Sequence, residues 1–468
     1  MGKRAPEVKG TGLIMSPILQ NRSGRCVSLL LAAMIANHSP VLAQQPTATV
    51  ATPGHVLTLE KSVAWALVHN PELAVYRAQR GIARAGVVIA RTYPFNPVFG
   101  AAVLPDGGPN AAGITNRVFS QTTLSQDVEI RGQGKIRREV AAAALSRVEL
   151  EIAVQEQHFA VNTVRAFHGY LYQQEKLRLL DETIRLQEQT SKKVKQLVDQ
   201  GFKLKAADFM LTRADVLEAQ GQRGSRQTQV VLAWHALQRL LGCPVEISQV
   251  SGSLPGALPQ GSPEHWTYYA LEKRPDLQAM QLAVREAEQR ERLEVANRFG
   301  NPNIGVKTEY NETSVLFVGG TVQFHFPVFN TKRGEILQRQ AEKNKAMLDV
   351  QRIETQIPQE VSAALDRLHE ARKWVQALEG DVMPALRKTM TDFDQLFAQG
   401  EIDVLRLIEV RRRDLRSRDS YLDALWELNQ ARADLAAAVG DFMVATGDPA
   451  GNPWFGAPVR FLPPRPSE

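Results

Sequence analysis

Two carboxylates follow matched turns in the sequence and are the side chains best placed to do chemistry. Asp208 follows Gly201 in the first turn, and Asp403 follows Gly400 in the second. If several copies of the chain assemble, each carboxylate is repeated around the assembly, and the crowded negative charge forms a pH-sensitive constriction that attracts cations. Alternatively, each carboxylate caps the positive end of the helix that follows its turn. The sequence leaves both interpretations open, and the two are compatible.

Histidines are the other candidate ligands, but their spacing does not predict a metal site. Of the nine histidines, His158 and His168 share a predicted helix, where they lie about three turns apart, too far for one ion. The sequence has no His-Glu-x-x-His motif and no acidic calcium loop. His325 falls on the polar side of an alternating segment, which predicts that it lines an aqueous lumen. We therefore expect no metal ligands and no cofactor.

Catalytic motifs are lacking too. No nucleophile elbow, phosphate loop or dinucleotide fingerprint stands between a predicted strand and a helix. The acidic residues are scattered among Lys and Arg, as is typical of solvated helix faces. Of the two cysteines, Cys26 lies in a segment that we expect to be removed. Cys243 is then a single thiol, which excludes an internal disulfide and a cysteine zinc cluster. We expect a protein that is not an enzyme.

The positive charge is concentrated at the amino terminus. Five basic residues precede an apolar run at 27–35, which Val41-Leu42-Ala43 follows. This order predicts a secretory signal at 1–43, with Met1 or Met15 as its start, followed by a flexible leader at 44–56. Removing the signal lowers the formal charge from +6 to about +2, so the charge gives no support for a nucleic-acid partner. The basic residues are Lys3, Arg4, Lys9, Arg22 and Arg25.

Both candidate carboxylates belong to a unit that the chain uses twice. The turns at Gln200-Gly201 and Gln399-Gly400 are followed by return legs of similar length, which end at Gly242 and Gly440. Apolar residues spaced by three, four and seven predict a helix over about 135–199, which would be roughly 95–100 Å long. The second long helix begins near Lys332. We expect kinks in it at Pro358 and Pro384.

Segments of alternating polarity precede each long helix and predict β-hairpins. Each repeat then consists of a helix, a hairpin, a long helix, a turn and a return helix. Helix lengths suggest that the return leg 203–242 and the next helix 263–298 lie in series beside one long helix. The strands are predicted near 98–104, 115–130, 303–310 and 314–327. The repeats are predicted at 57–242 and 264–445, with a linker at 243–263 and a tail at 446–468.

Four strands restrict the possible architectures. Their length suits a membrane strand, but four strands cannot close a barrel, and open edges are not tolerated in lipid. The strands therefore either form hairpins in water or share a barrel with other copies, and three copies would supply twelve strands. Two hypotheses follow. One is an export duct, and the other is a periplasmic coiled-coil adaptor or scaffold protein without a membrane barrel.

From Leu57 to about Ala445 the chain resembles the TolC-like outer-membrane efflux proteins. The resemblance rests on the duplicated Asn-Pro-Glu-Leu and Arg-Pro-Asp-Leu segments that begin at Asn70 and Arg274, on the paired hairpins and on the two turns. The segment 125–132, with Arg137-Arg138 after it, is similar to the branch that exports cobalt, zinc, cadmium or nickel, and so is 326–336. Gly132-Gln133-Gly134 and Thr331-Lys332 depart from that branch.

This resemblance implies a mainly α fold with a membrane β-barrel portion. A homotrimer would form a twelve-stranded barrel in the cell outer membrane and a long α-helical periplasmic tube, with 243–263 and the tail in a belt around it. It would be a passive duct for small solutes, either metal cations or drugs. The implied partners are the lipid bilayer, a periplasmic adaptor (membrane fusion) protein and an inner-membrane pump of the resistance-nodulation-division type. The implied docking residues at the helix turns are Gln200, Gly201, Ala207, Asp208, Gln399, Gly400, Asp403, Val404 and Leu405.

Overall fold

The computed structural model describes residues 56–105, 118–200, 206–242, 249–252, 254, 261–311, 313–399, 402 and 404–446. The predicted signal, the leader up to residue 55 and the tail from residue 447 lie outside these residues, as do Gly201, Cys243, Gly400 and Asp403. Within the described part of the chain, no helix is both long enough and apolar enough to span a membrane.

The described residues form ten α-helices, six strands, one 3₁₀ turn and one π turn, in an order that repeats. The first repeat contains β1 (Val56–Leu57), α1 (Leu59–His69), α2 (Pro71–Arg91), β2 (Val98–Pro105), β3 (Val118–Asp127), α3 (Gln133–Asp199) and α4 (Ala206–Leu241). β4 (Gln249–Val250) follows. The second contains α5 (Pro263–Lys273), α6 (Pro275–Ala296), a 3₁₀ turn (Asn297–Phe299), β5 (Asn303–Tyr310), β6 (Leu316–Gln323), α7 (Arg333–Ala377), a π turn (Leu378–Val382), α8 (Met383–Ala398), α9 (Val404–Val439) and α10 (Met443–Thr446).

The first helix stops and restarts at Pro71. Thr58 caps α1 by accepting a hydrogen bond from the amide of Lys61. Asn70 then ends α1 and caps α2, because its side-chain oxygen accepts the amide of Leu73 at 3.0 Å. Pro71 occupies the first position of α2, where its missing N–H costs nothing. In the second repeat, Pro275 begins α6 at the equivalent place.

The two long helical segments differ in continuity. α3 runs for 67 residues, which corresponds to roughly 100 Å. In the second repeat α7 continues through Pro358, which is flanked by buried Ile357 and Val361, so the proline does not end the helix. The π turn Leu378–Val382 ends just before Pro384. Since Pro384 has no N–H to donate to Gly380, four residues earlier, the wider turn accommodates the missing bond.

Each return helix meets the helix junction of its own repeat, which corrects the predicted series arrangement. A β-carbon on Gly242, after α4, would lie 2.7 Å from Cδ of Pro71, and the side chain of Asn70 donates to the carbonyl of Leu240 at 2.8 Å. Gly440, after α9, lies equally close to Arg274. Thus α4 ends where α2 begins and α9 ends where α6 begins. The prediction placed α4 in series with the next helix along the chain, which is wrong.

Packing arranges the helices in a definite order. α3 contacts α2 and α4 as well as α6 and α9, and α7 contacts α6 and α9. α8 packs mainly on α9. The order is therefore α2 with α4, then α3, then α6 with α9, then α7 with α8. The buried core lies along these contacts and includes Phe167, Leu237, Ile357 and Leu435.

The strands form two sheets. β2, β3, β5 and β6 pair in that order, and every pairing is antiparallel. Among the residues that the structure describes, β2 and β6 are therefore edge strands with one unpaired side each. The four strands lie at the predicted segments and are shorter than the predictions at β3 and β6. A separate parallel pair joins β1 to β4.

Candidate functional site

The predicted docking residues lie at the ends of helices on either side of the two turns. Gln200 follows α3, and its amide donates to the carbonyl of Gln196 at 3.0 Å; the amide of Gln399 donates in the same way to Gln395. Val404 begins α9, and Leu405 follows it. Since Gly201, Gly400 and Asp403 lie outside the described residues, the joint role of this set stays a prediction.

Ala207 and Asp208 lie in the first turn of α4, which begins at Ala206, so Asp208 is inside the helix and its capping role stays a prediction. Asp208 is half-buried there. A carboxylate at this position is stabilised by the positive end of the helix dipole. The second predicted role of Asp208, as a charge at an aperture, stays a prediction, because it depends on other copies of the chain.

In the half of the helices nearest the turns, arginines tie α9 to the first repeat. The guanidinium of Arg412 pairs with the carboxylate of Asp215 on α4. Arg411 donates to Oγ1 of Thr190 on α3 at 3.0 Å. Next to these contacts, Thr212 of α4 donates to Oγ of Ser191 at 3.3 Å. Three helices are therefore linked by polar contacts close to the turns.

Further from the turns, a buried lysine joins α3 to α9. Only 2% of the side chain of Lys176 is exposed, and its Nζ lies 2.5 Å from Asp419 and 2.8 Å from Asp423. The hydroxyl of Tyr172 donates to Asp423 at 2.5 Å. Burial, reinforced by Asp423, raises the pKa of Tyr172 above its ordinary value. Sequence spacing gave no sign of this cluster, because its two halves are about 240 residues apart in the chain.

The four-stranded sheet has two chemically different faces. The register places Phe99 beside Leu124 and Leu124 beside Val306. The side chains alternate, so the residues between them occupy the opposite face. We call the first the apolar face; it carries Phe99, Val103, Leu124, Ile304, Val306, Leu316, Val318 and Val322, with Thr122, Gln126 and Thr308 among them. The polar face carries Gln121, Thr123, Asp127, Asn303, Lys307, Glu309, Thr321 and Gln323, with Val98, Leu104, Phe119 and Phe317 among them. Lys307 pairs there with Glu309 at 2.9 Å.

The sheet is braced against the helices at their junction. The hydroxyl of Tyr93 donates to the carbonyl of Asp127 at 2.7 Å and accepts the amide of Glu129 at 3.1 Å. Glu129 pairs with Arg137 at 2.6 Å. The buried side chain of Gln133 donates to Asn301 of the second repeat at 2.7 Å. Several residues of the segment that resembles the metal-exporting branch therefore have a structural role at this junction.

The histidines occupy separate environments. His168 is buried in α3, and burial, together with the charge of Arg432, lowers its pKa to about 4. His158 is an exposed neighbour of Asn162. His325 lies beyond the end of β6, so its predicted place within a strand is wrong by two residues. Among the described residues, no group of three or more His, Cys, Asp or Glu side chains could hold a metal ion.

Residues 266–441, which include the second hairpin, the second long helix and its return helix, match the family model of outer membrane efflux proteins. The matched segment is therefore similar to the family that the sequence resembles. Comparison with curated protein sequences gives no match.

Solved structures with the same fold are outer-membrane channels. CusC is 19% identical, and the match covers 82% of this chain and 92% of CusC, with a TM-score of 0.67. The MtrE outer membrane channel of Neisseria gonorrhoeae is 16% identical, with 83% and 90% covered and a TM-score of 0.66. The outer-membrane channel OprN is 17% identical, with 82% and 89% covered and a TM-score of 0.65. At these identities the likeness establishes the fold.

Proposed function

We infer that the chain is the outer-membrane channel subunit of a tripartite efflux system, a duct through which small solutes leave the cell. The observation that carries this function is the sheet, which has an apolar face, a polar face and two unpaired edges. An apolar face suits lipid and a polar face suits an aqueous channel. The protein acts by passage, and the energy comes from a partner.

Closure requires more than one copy, because open edges are not stable in lipid. The free edge of β6 in one copy can pair with the free edge of β2 in the next. Such head-to-tail contacts form a ring when the rotation closes. We propose a homotrimer, in which three four-stranded sheets form a twelve-stranded barrel.

The helices carry a matching seam. Val75, Ile82 and Ile89 on α2 are spaced by seven residues and are 68%, 75% and 70% exposed in the single chain. At the other end of the packing order, Leu337 and Leu348 on α7 are 53% and 64% exposed. Exposed apolar side chains aligned along a helix, as the heptad-spaced set on α2 is, typically pack against a neighbouring helix. A second copy that sets its α2 against α7 covers both stripes while β2 meets β6.

The partners are proposed from the same architecture. The helix turns lie about 100 Å from the sheet by helix length, at the periplasmic end of the duct. We propose that a periplasmic adaptor docks there, on the residues around Gln200 and Gln399, and that an inner-membrane pump of the resistance-nodulation-division type delivers the solute. A metal cation is one candidate solute, and drugs are the other. The adaptor hypothesis is disfavoured, because an adaptor without a barrel has no need of a lipid-compatible sheet face.

Cysteine labelling of intact cells tests this function. In a Cys243→Ser background, Thr313→Cys between β5 and β6 is expected to react with a membrane-impermeant maleimide added outside. The matched control Gln220→Cys, on an exposed position of α4, is expected to react only after the outer membrane is permeabilised. Equal labelling of both in intact cells, or recovery of the protein as a periplasmic monomer, would rule out the channel.

The seam has its own test. Replacing Ile82 by Lys is expected to reduce the trimer fraction in detergent, because a charge then enters an apolar contact. Arg84→Lys, two residues away, is the control and should leave the trimer intact. An undiminished trimer in the Ile82→Lys variant would contradict the proposed contact.

A further inference from the structure

Two guanidinium groups cluster around an exposed ring where the sheet ends and the helices begin. The guanidinium carbon of Arg131 lies 4.2 Å from the centroid of the Phe299 ring, and that of Arg298 lies 5.5 Å from it. Both arginines are exposed. Stacking on an aromatic ring holds a guanidinium in place while its N–H groups remain available to a ligand.

This cluster lies at the end of the sheet, next to the last pair of the polar face. Asp127 pairs there with Asn303, and the amide of Val128 donates to Pro302 at 2.9 Å, one residue further along. Arg131 follows this end of β3, and Phe299 lies in the 3₁₀ turn that precedes β5. The pairing of β5 with β6 likewise leads to His325, and a β-carbon on Gly300 would lie 3.6 Å from Cβ of His325.

The local charges leave the two arginines without a carboxylate partner among the described residues. Glu129 is engaged by Arg137. Asp127 accepts a hydrogen bond from Asn303 at 2.9 Å. The backbone of Arg131 is fixed as well, since its amide donates to Oε1 of Gln133 at 2.8 Å.

We propose that Arg131, Arg298 and Phe299 form an anion-binding collar, which three copies of the chain repeat around the duct at the base of the barrel. Its ligands are solutes that carry a carboxylate or phosphate group, because the planar guanidinium fork matches both groups. The inference rests on the proposed function, which makes the polar face the wall of the channel. It assigns the exported solutes to the anionic class and counts against a bare metal cation.

Ion selectivity of the reconstituted full-length trimer tests the collar. The reversal potential in a KCl gradient is measured for the wild type and for the double variant Arg131→Gln/Arg298→Gln. The anion-to-cation permeability ratio is expected to fall by at least about threefold in the variant, because attraction by nearby fixed charges is lost. The matched control Lys307→Gln/Glu309→Gln removes two charges from the same face with no net change, and it should leave the ratio unchanged.

Titration of the detergent-solubilised trimer with sodium citrate supplies a second readout. Binding heat is expected for the wild type and for the control, and not for the double variant. An unaltered reversal potential together with unaltered citrate binding in a trimeric, conducting variant would overturn the collar. Absence of conductance in the wild type would instead contradict the proposed function, so the two failures can be told apart.

Discussion

Gly242 lies directly against the carbonyl oxygen of His69: a β-carbon on Gly242 would be 2.5 Å from that oxygen. The backbone of Gly242 has a φ of +75°, which glycine adopts without strain. Gly440 has a φ of +76° and lies equally close to Arg274. Both repeats therefore use a left-handed glycine to bring the end of a return helix against the start of another helix.

Gly242→Ala is expected to destabilise the protein by at least about 2 kcal/mol, since left-handed strain adds to a contact with backbone. The control is Gly221→Ala in the middle of α4, where an added β-carbon meets nothing within 4 Å. That variant should gain about 0.5–1 kcal/mol, because alanine is the better helix former. Thermal unfolding of the trimer in detergent measures both. A Gly242→Ala variant as stable as the wild type would contradict the importance of this close contact between Gly242 and the start of α2.

Exchange of two equivalent helix caps provides another prediction. Gly132 caps α3 with a φ of +70°, and Lys332 caps α7 with a φ of +53°. Gly132→Lys should cost about 1–2 kcal/mol, because a side chain is then forced into the left-handed region. Lys332→Gly should change stability by less than about 1 kcal/mol, since relief of strain is offset by the flexibility of glycine in the unfolded chain. Unfolding midpoints of the two variants check this asymmetry, and equal losses would disprove it.

His168 makes stability depend on pH. Its pKa is lowered from the ordinary 6.5 to about 4 in the folded protein. Below pH 6.5, the unfolded chain therefore binds a proton at this histidine that the folded chain does not bind until the pH nears 4. Stability is therefore complete above pH 6.5 and falls as pH drops to about 4, by up to about 3 kcal/mol. His168→Gln should lose this part of the pH dependence. The exposed-histidine control His235→Gln should retain it, and parallel unfolding curves for all three proteins would argue against the prediction.

Removal of the buried ammonium of Lys176 should be costly. Lys176→Gln leaves Asp419 and Asp423 facing each other, although both carboxylates remain partly in water. We expect a loss of about 1–3 kcal/mol, below the full value for breaking a buried pair. Lys373→Gln removes an exposed pair with Glu370 and should cost less than about 0.5 kcal/mol. Chemical denaturation compares the two, and similar losses would show that Lys176 is not special.

Local features were the ones that the sequence could predict. Thr58, Asn70 with Pro71, and Gly242 act on their own neighbours, so their types and positions indicate where helices begin and end. The strands could be located for a similar reason. Successive side chains of a strand lie on opposite faces of the sheet, so alternation of polar and apolar residues is visible within the strand itself. The family resemblance added the expected assembly of these elements in space.

Features that depend on distant partners were not predictable. Lys176 looks like any solvated lysine on a helix until the fold brings Asp419 beside it. The series arrangement was predicted wrongly, because helix length alone cannot distinguish α2 from α6 as the neighbour of α4. A kink was expected at Pro384, but the sequence did not indicate that a π turn would precede that proline or that α7 would continue as a helix through Pro358.

The continuity of α3 has a mechanical consequence. Beside it, α4 meets α2 at Gly242 and α9 meets α6 at Gly440. α3 runs past both of these junctions without a break. If the end of the molecule near the turns shifts relative to the sheet, the junctions can flex as hinges, whereas α3 must bend or tilt as a single strut. Stiffness along the axis would then reside in one helix per copy, and motion at the turns would be transmitted through it.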